Sequence, residues 1–245
     1  MLRIQKKAVL TALSLAASLS GCADNESSLF IEGVLSLPSS DCVARPDTQA
    51  EFIAQGIVDF EFASNYVAAV QVGNQLTQQG NREKTRTETS RLHLEGATGT
   101  VFDVQQGEHS FESIATGFVH PASGTEPGLA AMFVQLVPPD ILDEVAAVGE
   151  GDIVVRFRVF GTTLGGQEIE SGDFDFPITV CGGCLVSYPL EADDVATPGY
   201  ACELAAETET QSNICAYGQD QTFPCTACAA FSDICRDPSQ NPWRQ

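Results

Sequence analysis

Short segments in which apolar and polar residues alternate, or in which β-branched residues cluster, recur between residues 29 and 180. A period of two is typical of strands that bury one face, and turn-forming stretches rich in glycine separate several of the segments. The predicted strands are Leu29–Leu37, Ile57–Phe62, Tyr66–Leu76, Thr87–Leu94, Thr100–Val104, Phe111–Val119, Ala130–Val137, Ile153–Phe160 and Gln167–Val180. We therefore predict an all-β fold, an antiparallel two-layer β-sandwich of the immunoglobulin-like kind.

The clearest local unit is a hairpin around Gly161–Gly166. Arg156 and Arg158 alternate with apolar residues in its first strand, and acidic residues occupy positions 168, 170, 173 and 175 of its second. The alternation changes phase near Ser171–Gly172, which predicts a β-bulge at the glycine. We expect both arginines to pair with these acidic side chains, with binding of a ligand carboxylate as the alternative.

One helix is predicted in this domain, at Pro139–Val148. Proline suits the first turn of a helix, and Leu142, Val145 and Ala146 provide a short apolar face. We expect a connector of one to two turns.

Cysteines dominate the C-terminal part of the chain. Of nine cysteines, one belongs to the N-terminal motif discussed below, and eight remain for disulfides: Cys42, Cys181, Cys184, Cys202, Cys215, Cys225, Cys228 and Cys235. An even number in an exported chain predicts four disulfides with undetermined connectivity, and Cys42 is expected to tie the β domain to the C-terminal region. The predicted organisation is a leader at 1–21, a tether at 22–28, a β-sandwich domain at 29–183 and a disulfide-rich region at 184–245. That last region either caps the sandwich or forms a separate binding module.

Two other functions of the cysteines remain open at this stage. The pairs Cys181–Cys184 and Cys225–Cys228 have the spacing of a zinc site, but 40 residues separate them, and export favours disulfides. Alternatively, Cys181 and Cys184 form a redox pair, although no basic residue lies between Arg158 and Arg236 to lower the pKa of a thiol. We predict structural disulfides, with no metal and no cofactor.

The N-terminus carries the most specific motif. Arg3, Lys6 and Lys7 precede an apolar run, Ala8–Leu19, which is followed by Ser20, Gly21 and Cys22. This arrangement resembles the lipobox of bacterial lipoproteins. The resemblance implies that residues 1–21 are removed and that Cys22 carries a lipid; an ordinary secretion signal is the alternative. Because Ala23 rather than Asp follows Cys22, the pattern is similar to the outer-membrane sorting signal of enteric bacteria.

Charge narrows the choice of partners. Without residues 1–21, 9 Lys and Arg face 33 Asp and Glu, which gives a formal charge of −24. A balance this negative argues against nucleic-acid binding and against unassisted adhesion to anionic lipid, so the lipid on Cys22 would have to hold the protein at a membrane.

One cationic cluster contrasts with this acidity. Four of the nine remaining basic residues lie within ten positions: Arg82, Lys84, Arg86 and Arg91. They form a candidate patch for docking an acidic envelope protein or an anionic glycan. The alternative is a solvated loop.

Motifs that carry catalysis are missing. The chain has three histidines, none in a zinc-protease motif, and it has neither a nucleophile elbow nor a phosphate-binding loop. We therefore predict a non-catalytic interaction or structural module of the cell envelope. The alternative is a carboxylate-dependent hydrolase of envelope polysaccharide.

Overall fold

The computed structural model describes residues 28–81, 86–188, 202 and 214–236, and the fold is mostly β, as the alternation predicts. Twelve strands are present in this part of the chain: β1 Leu29–Leu35, β2 Phe52–Ile53, β3 Gly56–Asp59, β4 Tyr66–Asn74, β5 Leu92–Phe102, β6 Glu108–Val119, β7 Gly128–Val137, β8 Gly151–Thr163, β9 Glu168–Glu170, β10 Phe174–Cys181, β11 Val186–Ser187 and β12 Phe223–Pro224. The helices are α1 Pro139–Val148 and α2 Asp233–Arg236, with a 3₁₀ turn at Cys225–Ala227.

The strands form two main sheets. The first has the order β2-β1-β4-β7, and the second, with the order β3-β10-β8-β5-β6, is curled into a half-barrel. Pairing within them is antiparallel except between β3 and β10, while β11 and β12 form a small parallel pair. Strand β6 lies beside β7, where the Gln135 N–H donates to Ser113 Oγ at 3.0 Å. An immunoglobulin-like arrangement of these sheets stays a prediction.

Strand β4 lies at the centre of the first sheet. Eight of its nine residues are buried, all except Val67. Its inner face packs in the core, while the loop between β1 and β2 covers part of its outer face. There the Gln71 side chain donates to the Asp47 carbonyl at 2.8 Å and accepts from the Asp47 N–H at 3.0 Å. Burial on both faces explains why β4 reads as a continuous apolar run rather than an alternating one.

Strand β8 has the alternation expected of a half-buried strand. Ile153, Val155, Phe157 and Val159 are at most 1% exposed, and the residues between them face solvent. Their burial against residues of the first sheet forms one continuous apolar core between the two sheets. Each fully buried side chain of this size contributes about 1.5–3 kcal/mol.

The predicted strands Thr87–Leu94 and Thr100–Val104 both overlap one strand, β5, which contains only Leu92–Leu94 of the first and Thr100–Phe102 of the second. The prediction of two separate strands was wrong, because β5 continues through Gly96 and Gly99. Gly96 lies within β5 directly under the ring of Phe160, where a Cβ would stand 2.9 Å from the ring Cζ. The glycine thus admits a neighbouring side chain and does not end the strand.

The predicted strand Gln167–Val180 is divided into β9 and β10, which both pair with β8. Phe160 lies opposite Glu170 and Phe157 opposite Phe174, so three residues of the second segment face two of β8. This extra residue confirms the predicted bulge near Ser171–Gly172. Helix α1 has the predicted bounds, Pro139–Val148, although its ten residues make nearly three turns rather than one or two.

The eight cysteines form four disulfides, as their number predicts: Cys42–Cys215, Cys181–Cys184, Cys202–Cys225 and Cys228–Cys235. The first joins residues 173 positions apart and ties the loop after β1 to the C-terminal region, as expected of Cys42. The four cysteines of the alternative zinc site are divided among three disulfides, so they do not converge on one metal ion.

Residues 214–236 pack against the strands, and we call this segment the cap. The Gln219 side chain bonds both the N–H and the carbonyl of Val67, each at 3.1 Å, and the Gln221 amide donates to the Leu37 carbonyl at 3.1 Å. The rings of Tyr217 and Phe223 in the cap pack against each other and against the ring of Phe62. Within the described part of the chain, no helix has the length and apolarity needed to cross a membrane.

Candidate functional site

Two residues of the predicted cationic patch meet in one surface pocket. Arg86 and Arg91 line a pocket of about 480 Å³, whereas Arg82 and Lys84 lie outside the described residues. We call it the cationic pocket, and its lining is Gln78, Gly80, Asn81, Arg86, Glu88, Arg91, His120 and Pro121. The sequence cluster is thus joined by an imidazole from a distant segment, the one that follows β6.

Hydrogen bonds fix the wall of the pocket. Asn81 and Arg86 bond each other's backbone in both directions, at 3.0 and 2.9 Å, and so hold Arg86 at the rim. The Glu88 carboxylate accepts the N–H groups of Gln79, Gly80 and Ser90. Burial acts to raise the pKa of Glu88, but these bonds outweigh it and hold the pKa below its ordinary value. Glu88 is therefore an ionised residue with a structural role, whose carboxylate oxygens already accept hydrogen bonds from backbone N–H groups.

Within the part of the chain that the structure describes, Arg91 is held by aromatic contact rather than by an acidic partner. Its guanidinium carbon lies 4.5 Å from the centre of the Phe118 ring, which the ring of His93 also contacts at 4.9 Å. Its Nε is buried, and none of the described residues accepts a hydrogen bond from it. Stacking on the ring orients the cation without neutralising it.

The other arginines of the described chain are paired. Arg156 and Arg158 donate to Asp175 and Asp173 across the hairpin, each with a shortest contact of 2.7 Å, as the alternation predicts. Arg45 pairs with Asp41, and Arg236 with Asp233. Among the six arginines in the described segments, the two without an acidic partner there are therefore Arg86 and Arg91. In a chain this acidic, two such cations in one pocket set this site apart from the other arginines of the described residues.

Two carboxylates elsewhere have structural partners. Asp59 is fully buried and accepts the N–H groups of Gly183 at 2.8 Å and Leu185 at 3.1 Å, which fixes the loop that carries the Cys181–Cys184 disulfide. Asp220 accepts from the Tyr66 hydroxyl at 2.9 Å and from the Ile57 N–H at 2.8 Å, which fixes the cap. Burial raises the pKa of both groups. Their contacts account for them as parts of the fold.

A histidine joins helix α1 to the β5–β6 hairpin. His109 Nε2 lies 3.1 Å from Asp103 Oδ2, and Nδ1 lies 2.9 Å from Glu144 Oε2 on the helix. The hydrogen bond to Asp103 is the main cause of a raised His109 pKa, and His109 in turn lowers the pKa of Asp103. The protonated imidazolium therefore bridges two carboxylates.

This bridge is expected to make stability depend on pH. Because the folded-state pKa of His109 exceeds its ordinary 6.5, its contribution is complete below about pH 6.5 and is lost as the pH rises through the raised value. We expect His109→Gln to lower the free energy of unfolding more at about pH 5.5 than at about pH 8.5, as urea titrations would measure. His93→Gln, which removes a partly exposed imidazole beside the Phe118 ring, is the control. An equal loss for His109→Gln at both pH values would contradict the bridge.

Comparisons with known proteins add little to these observations. No family model and no curated protein matches the chain. Among solved structures, the chain is similar to the solution structure of a candidate late embryogenesis abundant protein at 11% identity and a TM-score of 0.31. The match covers 73% of this chain and 87% of the other. With so low a TM-score, both fold and function rest on the residues of this chain.

Proposed function

We propose that this protein is a lipid-anchored, non-catalytic binding module of the cell envelope, which recognises an anionic group through the cationic pocket. The observation that carries the proposal is the pair of arginines, Arg86 and Arg91, that lack acidic partners among the described residues and line one pocket. The lipobox-like motif ending at Cys22 supports the anchor, and the four disulfides suit an oxidising compartment outside the cytoplasm.

The geometry of the pocket favours binding over chemistry. Among the described residues, its titratable groups are two guanidinium groups, an imidazole and a carboxylate that already accepts backbone N–H groups. Guanidinium groups bind carboxylates and phosphates in a planar, often bidentate arrangement. Such a pocket fixes a partner in place and requires no covalent step.

Charge reversal tests the pocket in cells. We expect Arg86→Glu combined with Arg91→Glu to abolish recovery of the partner that crosslinks recurrently to the tagged protein, because the charge of the docking site changes by four units. Crosslinking in cells, affinity recovery in detergent and mass spectrometry of both protein and lipid would identify the partner. Arg45→Glu, at an exposed arginine near the cap, is the matched control.

Two outcomes would contradict the proposal. Unchanged partner recovery from the doubly reversed protein would remove the pocket from consideration. Persistent membrane association of Cys22→Ser would show that lipid on Cys22 does not hold the protein.

A further inference from the structure

The cationic pocket lies at the end of the domain where the tether enters. The Ser28 carbonyl accepts from the Gln75 N–H at 2.8 Å, and Leu29 pairs with Asn74 at the end of β4. Three residues after Gln75, the chain reaches Gln78 in the pocket wall, and three residues span at most about 10 Å. The first described residue and the pocket are therefore neighbours.

Both sides of the pocket are fastened to this same end of β4. The Asn74 amide donates to the Ser90 carbonyl at 2.9 Å, directly before Arg91. The Leu76 carbonyl accepts from the Ala122 N–H at 2.9 Å, close to the segment that carries His120. The position of the cations relative to the tether is thus set by buried hydrogen bonds rather than by a free loop.

The cap lies at the opposite end of β4. Gln219 bonds Val67 at the start of this strand, whereas the tether enters beside Asn74. Nine residues of strand span about 27 Å. A membrane held close to the tether end would therefore be far from the cap.

We infer that the anion recognised by the cationic pocket is the phosphate of anionic lipids in the membrane that holds the protein. This inference rests on the proposed lipid at Cys22. Six residues, Ala23–Ser28, separate that cysteine from β1 and reach about 20 Å when extended, so the pocket stays within reach of the headgroups. The pocket then orients the domain, with its tether end towards the bilayer and its cap outwards.

The chemistry of the pocket suits this role. A phosphate oxygen pair matches the planar donors of a guanidinium, and Arg91 has no acceptor among the described residues to compete for it. Each basic residue near an anionic membrane surface strengthens partition by about fivefold. Because the chain as a whole is strongly acidic and is repelled by the same surface, attraction acts at the face that carries this pocket.

Quenching of tryptophan fluorescence by brominated lipids measures the orientation. The full lipidated protein, with its single natural tryptophan removed by Trp243→Phe, is reconstituted in brominated phosphatidylcholine vesicles with or without about 30 mol % phosphatidylglycerol. One reporter is Leu164→Trp, in an exposed turn whose N–H bonds the Arg91 carbonyl at 2.9 Å. The other is Phe231→Trp, at an exposed position in the cap.

We expect phosphatidylglycerol to increase quenching of the Leu164→Trp reporter at least about threefold, because the anionic surface draws the pocket down, and to leave the Phe231→Trp reporter unquenched. Arg86→Glu with Arg91→Glu should abolish this increase while the protein remains on the vesicles. Arg45→Glu is the matched control and should keep the increase. The urea midpoint of each variant verifies that it is folded.

Other results would overturn the inference. If quenching of the Leu164→Trp reporter were unchanged by phosphatidylglycerol and by the two arginine reversals, the pocket would not bind headgroups. If the Phe231→Trp reporter in the cap were quenched more strongly, the domain would be inverted. Either result leaves the anchor and the docking of another anion intact. The proposed anchor would instead be refuted if no lipidated protein could be recovered from membranes and if Cys22→Ser divided between membrane and soluble fractions as the natural protein does.

Discussion

Removing the Cys42–Cys215 disulfide, by Cys42→Ala together with Cys215→Ala, is expected to lower the free energy of unfolding by about 5 kcal/mol. The reason is that the bond closes a loop of 173 residues, and a constraint of that length removes much of the conformational freedom of the unfolded chain. It also holds the loop after β1 against the cap, where Gln221 bonds the Leu37 carbonyl. Urea unfolding of the oxidised proteins, followed by circular dichroism, would measure the loss.

The matched control is Cys228→Ala with Cys235→Ala. This disulfide joins residues only 7 positions apart, so the same entropic argument gives about 2.5 kcal/mol. The ratio between the two losses is the informative quantity, since both variants remove one disulfide and two sulfurs. If the short-range pair cost as much as the long-range pair, native contacts within the cap rather than loop closure would be responsible.

Asp59→Ala is expected to lower the free energy of unfolding by about 3 kcal/mol, the second largest loss of stability after removal of the Cys42–Cys215 disulfide. The carboxylate is fully buried and accepts the N–H groups of Gly183, Leu185 and Glu61. Alanine leaves these donors without acceptors, and each orphaned buried donor costs about 1–3 kcal/mol, which outweighs the relief of no longer burying a carboxylate. The measurement is again the free energy of unfolding in urea.

Two variants separate this explanation from a general loss of charge. Asp59→Asn keeps one acceptor oxygen but directs an amide donor at the Leu185 N–H, so it should lose an intermediate amount. Asp152→Ala removes an exposed carboxylate that, among the described residues, accepts from the side chains of Gln55 and Thr179. It should change stability by less than about 1 kcal/mol. If Asp59→Asn were as unstable as Asp59→Ala, the number of acceptors would not explain the loss.

The sequence predicts the fold best where one strong local rule operates. Helix α1 has its predicted bounds because a proline at its first turn and an apolar face agree with each other. The bulge near Ser171–Gly172 follows from a change of phase in the alternation. In β5, however, the strand continues through Gly96, which makes room for Phe160, although the sequence predicts two separate strands on either side of it. The difference depends on a neighbour 64 positions away, which local pattern does not reveal.

The candidate site was predictable only in part, for a related reason. Arg86 and Arg91 stand out because cations are rare in this chain and these are close together in sequence. Phe118, which contacts Arg91, and His120, which lines the pocket, carry no such signal, because the pairing of β5 with β6 brings them there. The disulfide connectivity was likewise open, since eight cysteines allow many pairings and only the folded chain selects one.

The long-range disulfide also imposes an order of events on biosynthesis. Cys42 leaves the ribosome 173 residues ahead of its partner, and Cys181, Cys184 and Cys202 all emerge before Cys215. An oxidant that acts while the chain is still being delivered meets Cys42 with only incorrect partners available. For the exported protein proposed above, correct maturation requires either that oxidation of Cys42 waits until Cys215 has arrived or that a disulfide isomerase repairs early mispairing. We therefore expect its yield to depend on isomerase supply.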